Sequence, residues 1–181
     1  MFTLKVDQEI EIQLIELHHA EELFRLVDSN RQHLRQWLPW VDNIFSPYQY
    51  HSIIPTWLQQ FANNNGFNAG IRFNGTLVGG IGFHQMDWAN SQTSLGYYLS
   101  QNAQGYGIMT RAVTALVNYA FNQLKLNRIE IRCGEGNLKS RAIPEKLGFI
   151  QEGLIREGEK LPSGYHNLIV YGMLSKEWIK K

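Results

Sequence analysis

The sequence predicts a mixed α/β (α+β) chain, a sheet layered with helices, on three observations. Polar and apolar residues alternate over Glu9 to Ile15, the period of a half-buried strand. Asn74-Gly75 joins two further strand-like runs with the dipeptide best suited to a two-residue hairpin. Met109 to Leu124 instead carries Ala112, Val113, Leu116, Val117, Ala120 and Leu124 on one side of a long amphipathic helix.

Each element follows in turn. After the Glu9 to Ile15 strand the period changes, and Ala20, Leu23, Phe24 and Val27 fall at helical spacing over His18 to Val27. Glu21 and Glu22 stand early in that helix, where its dipole favours acids. A short helix is expected over Asn30 to Trp37, stopping before Pro39 because the residue ahead of a proline avoids the helical region. Ser46-Pro47 caps and opens a third helix toward Phe61, which Pro55 should kink or divide. Asn63-Asn64-Asn65-Gly66 closes it with residues that tolerate positive φ.

The hairpin then runs Phe67 to Phe73 and Thr76 to His84, and Thr93 to Ser100 adds a third strand. Beyond the long helix come a strand over Arg128 to Cys133 and a short helix over Ser140 to Leu147. Strands over Phe149 to Arg156 and Tyr165 to Leu174 follow, with a turn at Pro162-Ser163-Gly164 between them.

Composition narrows the function classes. The 181 residues, 44% hydrophobic and 18% charged, read as one globular domain over residues 1–181. A formal net charge of +1 lacks the basic excess of a general nucleic-acid or membrane-surface binder, so direct contact with either is not expected. One cysteine, Cys133, suits a reducing cytoplasm, and no apolar run has the length of a signal peptide core or membrane span. His18 and His19 are adjacent on an expected helix and should point about 100° apart, so no metal site is expected there or elsewhere.

The informative segment is SLGYYLSQNAQGYGIMTRAV, residues 94 to 113, in which a strand enters a glycine-bearing turn and a long helix follows at once. The first turn of that helix offers main-chain N–H groups without intrahelical partners, together with the positive end of the dipole. Gly105 and Gly107 carry no side chain to hold a phosphate away from the main chain, so the turn is suited to a pyrophosphate. No Gly-Lys-Ser/Thr follows, which excludes a Walker loop, and Thr110 stands where a dinucleotide fingerprint needs its third glycine or alanine.

A second segment, NLKSRAIPEKLGF at residues 137 to 149, follows the strand RIEIRC. Together the QGYGIMT turn and this N-x-x-S-x-x-x-x-E-K-L-G-F segment resemble the GNAT superfamily of N-acetyltransferases. NRQHLRQWLPWV, residues 30 to 41, is similar to a Leu-x-x-Trp-x-Pro-Trp signature of the RimJ/RimL branch, which acetylates ribosomal-protein N-termini. The resemblance runs from about Glu9 to Trp178. It implies a central twisted, mostly antiparallel sheet flanked by helices, acetyl-CoA as co-substrate and direct attack by the acceptor amine without a covalent enzyme intermediate. It also implies a protein N-terminus as acceptor, such as that of a ribosomal protein, a homodimer and a cytoplasmic setting.

Residue by residue, the resemblance assigns the coenzyme to Leu99, Gln104, Gly105, Tyr106, Gly107, Ile108, Met109, Thr110 and Asn137. Ser140 would protonate the departing thiolate and Glu159, in REGEK, would act as base through water, with Glu157 the neighbouring alternative. The family usually carries glycine or alanine where this chain has Met109, and Pro144 inside the short helix suits it only within the first turn. Main-chain N–H groups of the Leu95 to Leu99 strand are expected to face the oxyanion, and Arg111, Lys139 and Arg141 to meet phosphates. Cys133 lies in an apolar strand with no adjacent histidine and is expected simply to pack. Trp37 is expected in the core between the N-terminal helices and the sheet, whereas Trp40 suits core or acceptor groove equally.

Acceptor chemistry favours the N-terminal reading. An α-amine of pKa near 8 costs about 1.4 kcal/mol to deprotonate at pH 7, a lysine near 10.4 about 4.6 kcal/mol. A weak, water-mediated base is adequate for the first and strained for the second. A small amine acceptor (polyamine, aminoglycoside or amino acid) and a non-catalytic CoA-binding module are the competing readings.

Overall fold

Burial of Ile10, Ile12 and Leu14 on β2 (Ile10–Leu14) fixes the first alternating run, and β1 (Thr3–Lys5) lies antiparallel on it. This computed structural model describes residues 2–178. β1 is absent from the sequence reading because three residues give no measurable period. Arg111, far along the chain, holds the β1–β2 connection through Asp7 (2.8 Å) and Glu9 (3.0 Å).

A tight 3₁₀ turn over Leu17–His19 leads into α1 (Ala20–Ser29). The next helix, α2 (Arg31–Leu34), is a single turn, shorter than expected, and turns carry the chain from there to Pro39. α3 (Pro47–Ala62) starts where Ser46 predicts. Ser46 Oγ accepts the Tyr48 N–H, while Gln49 Oε1 accepts the Ser46 N–H in return. The helix continues through Pro55 to Ala62, so that proline does not divide it.

Next come β3 (Phe67–Phe73), β4 (Thr76–Phe83), β5 (Gln92–Leu99), α4 (Ile108–Asn122), β6 (Arg128–Gly134), α5 (Leu138–Leu147), β7 (Ile150–Leu161) and β8 (Gly164–Leu174). Asn74 (φ 48°) and Gly75 (φ 80°) both take the positive φ that the hairpin turn requires. The eight strands form one sheet in the order β1-β2-β3-β4-β5-β6-β8-β7. Every adjacent pair is antiparallel except β5 and β6. Each face carries helices: α4 buries Val113, Leu116 and Val117 in a core with Ile71, Ile81 and Ile129. α1 and α3 bury Leu23, Leu26 and Ile54 in a second core with Ile15 and Leu77. No helix among the described residues is long and apolar enough to cross a membrane.

The parallel pair is the feature that makes a site. β5 and β6 are in register only from Gln92↔Arg128 to Ser94↔Glu130. Past that point β5 stays on β4 as far as Gly79↔Leu99, and β6 stays on β8 as far as Gly134↔Leu168, so the two strands part. His84 N–H donates to Ser94 O and Ser100 N–H to Val78 O, which puts the even-numbered residues of β5 in the ladder with β4. Strict alternation turns the main-chain groups of Tyr97 and Leu99 toward the opening.

One proline controls the far wall of that opening. Asn137 caps α5, which starts at Leu138 rather than at the expected Ser140, and accepts the Ser140 N–H on its Oδ1 at 3.2 Å. Pro144 therefore sits well inside the helix rather than in its first turn. Having no N–H, it leaves the Ser140 carbonyl without its i+4 donor. Tyr97 Oη donates to that carbonyl at 2.9 Å and replaces the missing bond across the parted strands. Replacing Tyr97 by Phe should cost about 1–3 kcal/mol in urea unfolding, the penalty of a buried carbonyl left unpaired. In a Pro144→Ala background, where the helix regains its donor, the same replacement should cost clearly less, and the double-mutant cycle reads the difference.

Candidate active site

The parted strands open into a cavity of about 1210 Å³ that reaches from α4 and α5 on one face of the sheet to α1 and α3 on the other. A separate open depression of about 540 Å³ over Glu22, Arg25 and Thr76 holds none of the catalytic or coenzyme-binding residues expected from the sequence.

At the α4 end the backbone forms a cradle. Gly105 (φ 88°) and Gly107 (φ 69°) are both left-handed, and at each the space a Cβ would fill is empty for 4 Å around. Gly107 caps α4 without any side-chain acceptor, so the first N–H groups of this fifteen-residue helix are unclaimed by a cap. Gln104 Nε2 and His33 Nε2 lie 3.0 Å apart, and Lys139 Nζ donates to Gln104 Oε1 at 2.8 Å, which fixes the rim. Leu99, Ile108, Met109, Thr110 and Asn137 line the same cavity. Tyr106 does not; its side chain is 64% exposed and lies against Phe73.

The cations divide. Of the three expected at phosphates, only Lys139 lines the cavity. Arg111 is engaged by Asp7 and Glu9, and Arg141 by Tyr171 Oη (2.9 Å), the Glu135 carbonyl (2.9 Å) and Glu145. A helix face toward the β1–β2 connection and one toward β8 claimed them, which adjacency in sequence does not reveal.

In the gap itself, Ser140 Oγ donates to Cys133 Sγ at 3.3 Å. Cys133 is buried in the core and also forms part of the cavity wall. Burial pushes its thiol above the usual range, opposed by the Ser140 and Tyr97 hydrogen bonds, so it makes a poor nucleophile.

Glu159 comes from the far side, out of a break in the β7–β8 ladder. Between Ile155↔Leu168 and Glu159↔His166 the register shifts, with more residues on β7 than on β8. Glu157, at φ 50°, stands in this bulge and donates its N–H to Asn167 Oδ1 at 2.9 Å, and Asn167 Nδ2 in turn bonds Glu135. The bulge leaves Glu157 exposed and brings Glu159 to the cavity wall. Burial raises the Glu159 carboxyl above the ordinary glutamate value, with His166 pulling weakly the other way. It is the one carboxylate among the described residues lining the cavity, against two cations, Arg132 and Lys139.

The half under α1 and α3 is hollowed by glycine. A Cβ at Gly80 would collide with the Tyr98 ring, and one at Gly96 would sit 2.8 Å from the His84 ring. Both rings occupy the space over bare strand, in a cavity walled also by Trp40, Tyr50 and Trp57. His84 Nδ1 is 2.9 Å from Ser94 Oγ; enclosure by the protein and then Arg132 lower its pKa below the usual imidazole value. None of Tyr50, Trp57, His84, Tyr98 and Arg132 was singled out from sequence. Glycine inside strands at positions 80, 82 and 96 was the available signal, since it marks close approach to bare backbone.

Two further expectations are corrected. Trp37 is not core: it lines the cavity, its ring 3.2 Å from where a Gly134 Cβ would stand, because α2 ends at Leu34 and releases it. Trp40 does both, packing on the inner clusters and edge-on to Tyr98 at 5.6 Å while facing the cavity. His18 and His19 converge rather than diverge, with ring centroids 3.9 Å apart and the Glu16 carboxylate nearby, in a segment that is a 3₁₀ turn and not the expected α-helix. His19 Nδ1 is occupied by the Glu16 N–H at 3.0 Å.

With this geometry in view, comparison with known proteins is direct. The Bacillus subtilis protein YdaF, a candidate ribosomal N-acetyltransferase, is 41% identical over 179 residues, covering 98% of each chain. The ribosomal-protein-serine acetyltransferase of Escherichia coli is 26% identical over 172 residues, covering 95% of this chain and 96% of its own. The crystal structure of a candidate acetyltransferase, 41% identical, matches with a TM-score of 0.95 over 98% of this chain and 99% of that one. Residues 9–150 match the model of the acetyltransferase (GNAT) domain, so parted strands, glycine cradle and bulged glutamate all lie in a chain that belongs to the GNAT acetyltransferase family.

Proposed function

We propose that this acetyltransferase moves the acetyl group of acetyl-CoA to the α-amine of a protein N-terminus, by direct attack within a ternary complex. The observation that carries this reading is Glu159, a single carboxyl raised by burial on the wall of a cavity that opens through the sheet to the glycine cradle. The E. coli relative acts on a ribosomal-protein serine, which favours a ribosomal protein as acceptor, and a cytoplasmic homodimer goes with the family resemblance.

The residues present fit the coenzyme. Two left-handed glycines with open space at their Cβ positions, ahead of a helix without a cap, suit a pyrophosphate, and Lys139 adds a positive charge at the rim. Bound there, the coenzyme supplies an activated acetyl thioester. The main-chain N–H groups of Tyr97 and Leu99, turned toward the opening, serve as donors for negative charge on the carbonyl oxygen. Ser140 already donates its hydroxyl to a sulfur and needs only to rotate to serve the departing thiolate. Glu159 takes the proton of the incoming amine through water, and Glu157, outside the cavity, does not. With one carboxylate against Arg132 and Lys139, the lining suits a single neutralised amine and disfavours a polycation. Tyr106 contributes main chain and Asn137 holds the loop that carries Ser140.

Thiol release from acetyl-CoA against peptide N-termini, lysine peptides and polyamines tests the reading. Peptide N-termini should lead, whereas preference for polyamines would refute it. Acetyl-CoA should raise the melting temperature of the wild type. Gly107→Ala should lose most of that rise while lowering the melting temperature of the free protein by only a few degrees, the strain of a Cβ at positive φ.

Glu159→Gln should lower kcat by roughly 10²–10⁴-fold. It should also remove the rise in wild-type rate with pH through the elevated Glu159 pKa. Stability should move the other way. A carboxyl whose folded pKa exceeds its unfolded value favours folding below the unfolded pKa, and that contribution is lost as pH rises through the folded one. At neutral pH, Glu159→Gln should therefore melt no lower than the wild type, a result that separates a catalytic defect from misfolding.

A further inference from the structure

The chamber under α1 and α3 contains two phenol hydroxyls that no other described residue engages. Tyr50 is 2% exposed, and its buried Oη has no hydrogen-bond partner among the described residues. A buried hydroxyl without a partner is uncommon because it forfeits its bonds to water. Tyr98, stacked over the bare strand at Gly80, likewise finds no hydrogen-bond partner for its hydroxyl among the described residues, and it borders the cavity. Both phenols are neutral at physiological pH, and burial raises them further above their ordinary value, with Tyr50 adding to this at Tyr98 and Arg31 opposing it at Tyr50. Around them stand Trp40, edge-on to Tyr98, and Trp57, 6.3 Å from the Tyr50 ring. Leu23, Ile44 and Ile53 complete an uncharged wall.

Packing alone would place phenylalanine at both positions at no such cost. Two protonated hydroxyls in an apolar chamber are neutral donors and acceptors. They suit a ligand group that is itself neutral, capable of a hydrogen bond and carried on a short apolar stem. A charged side chain would lose its hydration there, and the one cation felt at Tyr50, Arg31, is already paired with Asp28.

We propose that this chamber receives the side chain of the acceptor's first residue, with Tyr98 and, behind it, Tyr50 selecting an uncharged hydrogen-bonding group over an apolar one of the same shape. The inference rests on the N-terminal reading above. An apolar pocket cannot strongly reject an added hydroxyl, but a pocket built to bond one discriminates against the analogue that lacks it.

Isosteric pairs isolate this choice: peptides beginning with threonine or valine, asparagine or leucine, and glutamine or methionine, assayed for kcat/KM. In the wild type the polar member of at least one pair should lead by roughly tenfold or more. Tyr98→Phe should bring that ratio toward one, through the polar substrate alone, and Tyr50→Phe should do so more weakly. A circular-dichroism spectrum and a cooperative thermal melt like those of the wild type report that each variant is folded. Equal rates within every pair of the wild type, or a ratio that survives both substitutions, would overturn the assignment. The same six residues as amino-acid amides run in parallel. Transfer to amides but not to peptides would refute the protein-acceptor reading while leaving the pairwise ratio to decide this one. Transfer to neither series would refute this assignment outright.

Discussion

The separation of β5 from β6 after Ser94 and Glu130 is the constraint on which the site depends. A sheet that stays paired offers no main-chain donors and no passage from one face to the other. Here β5 keeps β4 and β6 keeps β8, so neither strand unravels, and only the edges between them go unpaired. The opening lies in the middle of the sheet, where helices cover both faces and main-chain polar groups stand in low dielectric. Donors in such a place are worth more to a developing negative charge than the same donors in water.

Breaking pairing creates debts elsewhere in the hydrogen-bond inventory, and the chain meets each with a specific side chain. Tyr97 crosses the opening to the carbonyl that Pro144 orphans, which fixes α5 at the distance from β5 that the gap demands. Asn167 satisfies the N–H of Glu157 inside the bulge and anchors that bulge to the loop after β6 through Glu135. Gln104 joins His33 on α2 to Lys139 on α5 across the cradle. Of the irregular positions, Gly107 at φ 69° lines the cavity, and Pro144 and Glu157 at φ 50° stand beside the lining residues Ile143 and Glu159 in sequence.

Much of this order was readable in the residues, and the reasons for the exceptions are physical. The hairpin at Asn74-Gly75, the cap at Ser46 and the stripe of α4 are local signals, and each element begins or turns where its residues say. Gly105 and Gly107 were legible for the same reason, since a left-handed backbone is a property of one residue. Arg111 and Arg141 misled because their partners, Asp7 and Tyr171, are distant in sequence. The chamber of Tyr50, Trp57 and Tyr98 was hidden because it joins α3 to β5 across a sheet, and no period or spacing records such a juxtaposition. Glu159 was identified only by resemblance; the bulge that separates it from Glu157 depends on pairing with β8, which the local sequence does not encode.

The charge pattern of the cavity links these irregularities to chemistry. A carboxylate in a largely apolar wall is costly, and without a close cation its pKa rises toward that of the proton it must accept. Arg132 could have cancelled this effect, yet its Nε is bonded to Glu130 at 2.6 Å. Lys139 is drawn to Gln104 at the opposite rim. Both cations on the lining are thus pinned by partners other than Glu159, and its main electrostatic neighbour is His166, which lowers its pKa only against the larger effect of burial. The bulge in β7 therefore does two things at once: it turns a carboxyl into the cavity, and it turns it away from the charges that would make it a weaker base.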